Sequence, residues 1–181
     1  IVRPARLPRM NMERGIPPEG RSICLISVLL TDQQCARKMA DRLEELRQAC
    51  KREGPELLFG LLADLPEADS RELSGDRELL ETAAAAVNGL NRKYGGGFYL
   101  FTRERSFDGQ RWSGSERKMG AIKELARLLC QKPSALRVTG EKDALNGVRY
   151  IITLDSDTRP YPGSCLLYTS PIPRHAHESR M

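Results

Sequence analysis

Two carboxylates spaced i and i+2, Asp155 and Asp157, follow the apolar, β-branched run Ile151-Ile152-Thr153-Leu154. Such a run has the composition of a buried strand, which delivers the pair into the loop at its carboxyl end. Carboxylate oxygens suit a hard divalent cation such as Mg²⁺ or Mn²⁺, and such a cation commonly bridges protein to a diphosphate. A strand ending in Asp-x-Asp therefore points to a metal–nucleotide site. The competing reading is two acidic turn residues.

A second distinctive stretch is Trp112-Ser113-Gly114-Ser115-Glu116-Arg117-Lys118-Met119-Gly120. Ser113 and Glu116 have the spacing of a capping box, and Met119, Ile122, Leu125 and Leu129 recur behind them at helical intervals. Arg117 and Lys118 then oppose a helix dipole that prefers anions. An anionic ligand would relieve the conflict, assisted by free helix N–H groups. Pairing with Glu116 and Asp108 on a wet surface would relieve it too. Asp64 is either a turn cap or an acceptor for a nucleobase or ribose group, and Trp112 either a half-buried indole or a sugar-stacking face.

These residues need elements to hold them. Residues 1–22, broken by Pro4, Pro8, Pro17 and Pro18, read as a linker. Residues 23–30 and 57–62 are apolar runs with the composition of strands buried on both faces, and Phe98–Thr102 is a shorter one. Between them, Cys35, Met39, Leu43, Leu46 and Cys50 mark a helix capped by Thr31 or Asp32. Leu79, Ala83, Val87, Leu90 and Tyr94 mark another, opened by Ser74 or Asp76 and stopped by Gly95-Gly96-Gly97. After the third helix, ended by Pro133, residues 139–147 read as a polar loop and 148–154 as the fourth strand. Strands alternating with helices predict an α/β fold, a parallel sheet with helices on both faces. In strand order 3-2-1-4, ligands bind at the carboxyl ends where the order reverses. Asp32, Asp64, Asp155 and Asp157 all fall on that edge.

Composition narrows the classes. The 181 residues suffice for one domain with a real core, and their 29 Lys and Arg against 24 Asp and Glu leave a net charge of +5. The basic residues are interleaved with acids, which argues for solvated faces and against nucleic acid. Five cysteines, Cys24, Cys35, Cys50, Cys130 and Cys165, form no C-x-x-C pair, so metal or disulfide use is not indicated. Both histidines, His175 and His177, belong to residues 164–181, whose composition changes abruptly and continues no period. That tail reads as unstructured, in the manner of a translated sequencing artefact. The chain does not begin with Met and reads as a piece of a longer protein.

Residues 7–163 resemble the glycosyltransferase domain of cyclic β-1,2-glucan synthases, which are very large bacterial inner-membrane proteins. The likeness rests on Leu7-Pro8-Arg9 with Gly15-Ile16-Pro17, the first strand with its Leu29-Leu30-Thr31 end, residues 112–125, and residues 149–158. The resemblance implies a GT-A-like (Rossmann-like) fold truncated after the fourth strand, with residues 23–163 forming its donor-nucleotide half. It implies UDP-glucose as donor, a growing β-1,2-glucan as acceptor, and Mg²⁺ or Mn²⁺ on Asp155 and Asp157. Asp64, Arg117, Lys118, Gly120 and Asp155 would bind the donor at the cytoplasmic face of the inner membrane. A general base for an inverting transfer is expected beyond the fragment, which is expected to be inactive alone.

Two rivals remain. A haloacid-dehalogenase-type phosphatase also ends a strand in Asp-x-Asp, but its motif needs Thr at position 159, where this sequence has Arg159. A non-catalytic α/β module binding a nucleotide or a partner is the other.

Overall fold

The computed structural model describes residues 15–159. Most of the linker, the Leu7-Pro8-Arg9 stretch, Cys165 and the tail with His175 and His177 lie outside the described residues. Seven strands and three helices follow one another: β1 (Ser22–Leu29), α1 (Gln33–Ala49), β2 (Leu57–Asp64), α2 (Asp76–Tyr94), β3 (Phe98–Thr102), β4 (Ser106–Phe107), β5 (Trp112–Ser113), α3 (Arg117–Leu129), β6 (Arg137–Thr139) and β7 (Tyr150–Asp155). Strands β1, β2, β3 and β7 are parallel, and the main sheet has the order β6-β3-β2-β1-β7. The expected α/β sheet and its 3-2-1-4 strand order are therefore present.

Alternation along the strands builds two cores. Cys24, Ile26 and Val28 of β1 face α1 and α2, whose Met39, Leu43, Val87 and Leu90 close over them. Ile23 and Leu25 face the other way, toward Ala121 and Leu125 of α3. Helices thus cover both faces, which a mostly parallel sheet requires. Gly60 marks the tightest point in β2, where an added Cβ would lie 2.8 Å from Leu25 Cδ2 and 3.0 Å from Phe101 Cε2. Ile16, ahead of β1, is buried, and its N–H donates to the Glu53 carbonyl at 2.8 Å. No described helix is long and apolar enough to cross a membrane.

The ends of the elements refine the sequence reading. Asp32 caps α1, its carboxylate accepting from Cys35 N–H at 2.8 Å, and Thr31 donates to Asp32 instead of capping. Of the two residues expected to open α2, Asp76 does so as its first helical residue, behind Gly75 at the N-cap. Gly95, left-handed at φ +76°, ends α2 as expected. The capping box at α3 does not form, because Ser113 is drawn into β5 and Glu116 itself occupies the N-cap without a side-chain capping bond. Met119 is 60% exposed, and Gly120, Ala121 and Leu125 form the buried stripe in its place. The loop at 139–147 holds a short 3₁₀ turn and follows β6, which runs antiparallel to β3. Strand β7 pairs with β1 along one edge, so Ile151 and Ile152 are half-buried and Thr153 exposed, less covered than an apolar run suggests.

Arg105 ties the exit of β3 to the start of α2. Its side chain is 2% exposed, and it donates to the Pro66 carbonyl at 2.6 Å and to both Asp76 oxygens. The hydrogen bond from Arg105 holds the Asp76 carboxyl below its ordinary value of 3.8, against an opposing push from burial and with help from Leu73 N–H. A lowered folded-state pKa stabilises above the ordinary value, and that contribution is lost as pH falls through it. Asp76→Asn should therefore cost most near neutrality, and its deficit should shrink between about pH 5 and about pH 2 in denaturant titrations. Gly60→Ala should cost about 1–3 kcal/mol by overpacking, read as a lower denaturation midpoint with an unchanged slope.

Candidate functional site

The chain passes from β1 outward through β2 to β3, then returns to place β7 on the other side of β1. The reversal between β1 and β7 is where an open α/β sheet binds ligands. Register fixes the levels there: Leu29 of β1 lies opposite Asp64, and Ser27 lies opposite Asp155. Asp155 ends β7, and Asp157 follows in a turn closed by Thr158 N–H donating to the Asp155 carbonyl at 3.0 Å. Both carboxylates are exposed.

Lys118, in the first turn of α3, reaches across to this edge and forms an ion pair with Asp155 Oδ1. Arg117 pairs with Glu67 at 3.5 Å, and Lys123 takes Glu116. Neither Glu116 nor Asp108 forms an ion pair with the two helix-start cations, though the charge of Arg117 acts on Asp108. Asp108 accepts instead from the N–H groups of Gln110 and Arg111, which with its own turn hold its carboxyl below the ordinary range.

Between the ends of β1 and β2 and the start of α3 lies a cleft of about 260 Å³. Asp64, Arg117, Lys118 and Gly114 line it beside the apolar Val28 and Leu29. Larger hollows lie outside α3, about 520 Å³, and at the amino-terminal end of the sheet, about 530 Å³. The smaller cleft is the candidate because it alone of these three joins Asp64 to the Lys118 rim at the carboxyl edge. Volume does not decide this; chemistry does.

Asp64 is 16% exposed and carries a bidentate ion pair with Arg103, at 2.7 and 2.8 Å. A carboxylate has about four lone-pair positions, so acceptor capacity remains toward the cleft. Gly120 is buried behind the loop, where an added Cβ would lie 1.9 Å from the Ser115 carbonyl oxygen. Its place is under the loop and not on the cleft wall. Trp112 is half-buried against Phe107, with ring centroids 5.5 Å apart, in the β4–β5 hairpin.

Sequence reasoning did not single out Arg103 or Glu67. A signal existed for the first: an arginine follows directly on a fully buried strand, and its charge has to be answered inside the fold. Glu116 and Arg117 have left-handed backbones, φ +51° and +47°, at a cost of about 1–2 kcal/mol each. No local motif announces that conformation.

No protein-family model matches this chain. It is 31% identical over 165 residues to the cyclic β-(1,2)-glucan synthase NdvB of Rhizobium meliloti (strain 1021). The chain is related to that synthase. The match covers 88% of this chain and 6% of NdvB, so the chain spans a small part of its relative's length.

Lys118 and Asp155 are partly exposed, and an ion pair of that kind contributes at most about 1 kcal/mol. Lys118→Ala should therefore leave the thermal midpoint almost where it is. A fall of many degrees in a melting scan would show that Lys118 holds β7 to α3.

Proposed function

We propose that this chain is the donor-binding half of a GT-A-type glucosyltransferase. It takes UDP-glucose and serves transfer of glucose to a growing β-1,2-glucan chain. The parent would be a large synthase working at the cytoplasmic face of the bacterial inner membrane. The observation that carries the reading is the meeting of Lys118 with Asp155 at the switch point, beside the Asp64 cleft. Relation to a cyclic β-1,2-glucan synthase supplies the substrate class.

The exposed pair Asp155 and Asp157 offers hard oxygen donors, a set suited to Mg²⁺ or Mn²⁺. They would hold the cation, with diphosphate and water completing its shell. Once bound, the metal would act as a Lewis acid toward charge growing on the β-phosphate as the glycosidic bond breaks.

The chain's own residues bind and orient. Lys118 exchanges Asp155 for a phosphate oxygen, since a weak exposed pair yields readily to a more highly charged anion. Arg117, at the rim of the cleft, adds a second cation with its charge in solvent. Asp64 accepts a hydrogen bond from the base, and Val28 and Leu29 give the ring an apolar floor. The cleft lies just below the usual ligand-pocket range of about 300–1,000 Å³, so it takes the nucleoside part and leaves the sugar outside. Transfer to the acceptor hydroxyl needs a base, and we assign that proton to none of the residues described.

One observation favours the rival binding module. Among the described residues, no group of three or more His, Cys, Asp or Glu side chains could hold a metal. Calorimetric titration of UDP-glucose, with and without Mn²⁺, separates the two on wild type and on Asp155→Asn/Asp157→Asn. We expect Mn²⁺ to tighten binding to wild type at least about tenfold and to leave the double variant unchanged. Equal affinity in all four titrations, with the fold intact by circular dichroism, would remove the metal and favour the binding module.

A further inference from the structure

Arg103 is charged, buried and outside the cleft wall, yet four hydrogen bonds converge on it. Its side chain is 4% exposed. Nε and Nη2 donate to Asp64 Oδ1 and Oδ2, at 2.7 and 2.8 Å. Nη1 donates to the Ser115 carbonyl at 2.8 Å, and Nη2 also to the Arg117 carbonyl at 2.6 Å. Those two carbonyls bracket Glu116, where the backbone turns left-handed at two successive residues that carry side chains. Residues of that kind hold such a conformation only where their surroundings impose it.

Two glycines keep the space clear. A Cβ at Gly114 would lie 2.7 Å from Arg103 Nη2 and 2.9 Å from Asp64 Cγ. One at Gly120 would lie 2.9 Å from Arg103 Nη1, besides its collision with the Ser115 carbonyl. The loop, the helix start and the end of β2 are thus shaped around one guanidinium.

We infer that Arg103 is a positioning residue of the donor site, clamping the 114–118 loop in its left-handed turn against Asp64 so that Lys118 faces Asp155. The inference rests on the reading of the cleft as a nucleoside diphosphate site. Arginine is required because its planar fork presents five donors in fixed directions, and the clamp uses them on one carboxylate and two carbonyls at once. A lysine would preserve the charge opposite Asp64 and lose the span.

The test uses the full chain, with Arg103→Lys as the first variant and Gly120→Ala as the second. Gly120 does not line the cleft, so any effect of its Cβ on binding acts through the loop. Two quantities are read: amide hydrogen exchange at residues 114–118 against exchange in β1 and β2, and affinity for UDP in Mn²⁺. For Arg103→Lys we expect loop exchange about tenfold faster or more, unchanged protection in β1 and β2, and UDP affinity about tenfold weaker. Gly120→Ala should move both in the same direction.

Loop exchange within about twofold of wild type in Arg103→Lys would overturn the inference. So would retained UDP affinity in a variant whose loop exchange has risen. If neither variant folds, the inference also falls, because Arg103 would then determine the sheet and not the loop. Should wild type itself bind no UDP, the donor reading fails separately. Exchange at 114–118 then decides the clamp by itself: faster in Arg103→Lys supports it, unchanged refutes it.

Discussion

The pairing of Arg103 with Asp64 is the interaction on which the carboxyl edge of the sheet depends. A charge taken out of water costs several kcal/mol unless it is paired and its other donors are met. Here the guanidinium is answered by one carboxylate and two backbone carbonyls. Removing one partner of such a pair costs about 3–5 kcal/mol, because the other is left charged and buried. That magnitude matches or exceeds the about 2–4 kcal/mol for two left-handed residues at Glu116 and Arg117, so the loop keeps a conformation its own residues disfavour. Arg105 repeats the device two residues further on, fastening Asp76 and the Pro66 carbonyl. Strand β3 therefore delivers two buried cations that stitch β2, α2 and the start of α3 to the sheet.

Around this rigid floor the rim is soft. Lys118–Asp155 and Arg117–Glu67 are exposed pairs, each worth at most about 1 kcal/mol and weakened further by salt. Those contacts are cheap to break, whereas Arg103–Asp64 is not. Geometry at this edge is thus held by buried groups, and charge is presented by exposed ones. The division also answers the electrostatic oddity at α3. Two cations against a helix N-terminus are tolerated because carboxylates from outside the helix, Glu67 and Asp155, cancel them.

Much of this was legible in the sequence where a pattern is local. Strands β1, β2 and β3 are apolar runs long enough to be buried on both faces, and Gly95 stops α2 because a left-handed residue there needs no Cβ. The β4–β5 hairpin escaped, although Asp108-Gly109 is a recognisable turn signal; two-residue strands give period-2 alternation nothing to act on. Strand β6 is three residues long and escaped for the same reason. At α3, Ser113 and Glu116 had the spacing of a capping box, but pairing of β5 with β4 claimed Ser113 first. Tertiary context overrode a local motif. In the candidate site, Asp64, Lys118 and Asp155 were visible as types at the ends of elements. Arg103 was not, because its partners lie 12 to 39 residues away and only the folded chain unites them.

The register of the sheet gives the site its scale. Asp64 and Asp155 stand on either side of β1, level with Leu29 and Ser27 respectively. Two inter-strand spacings of about 4.8 Å and a two-residue rise of about 3.3 Å per residue put their backbones about 12 Å apart. The two carboxylates have different partners, Arg103 for Asp64 and Lys118 for Asp155. The Asp155–Asp157 turn and Lys118 thus stand on one side of β1 and Asp64 on the other. The separation is imposed by β1 lying between β2 and β7.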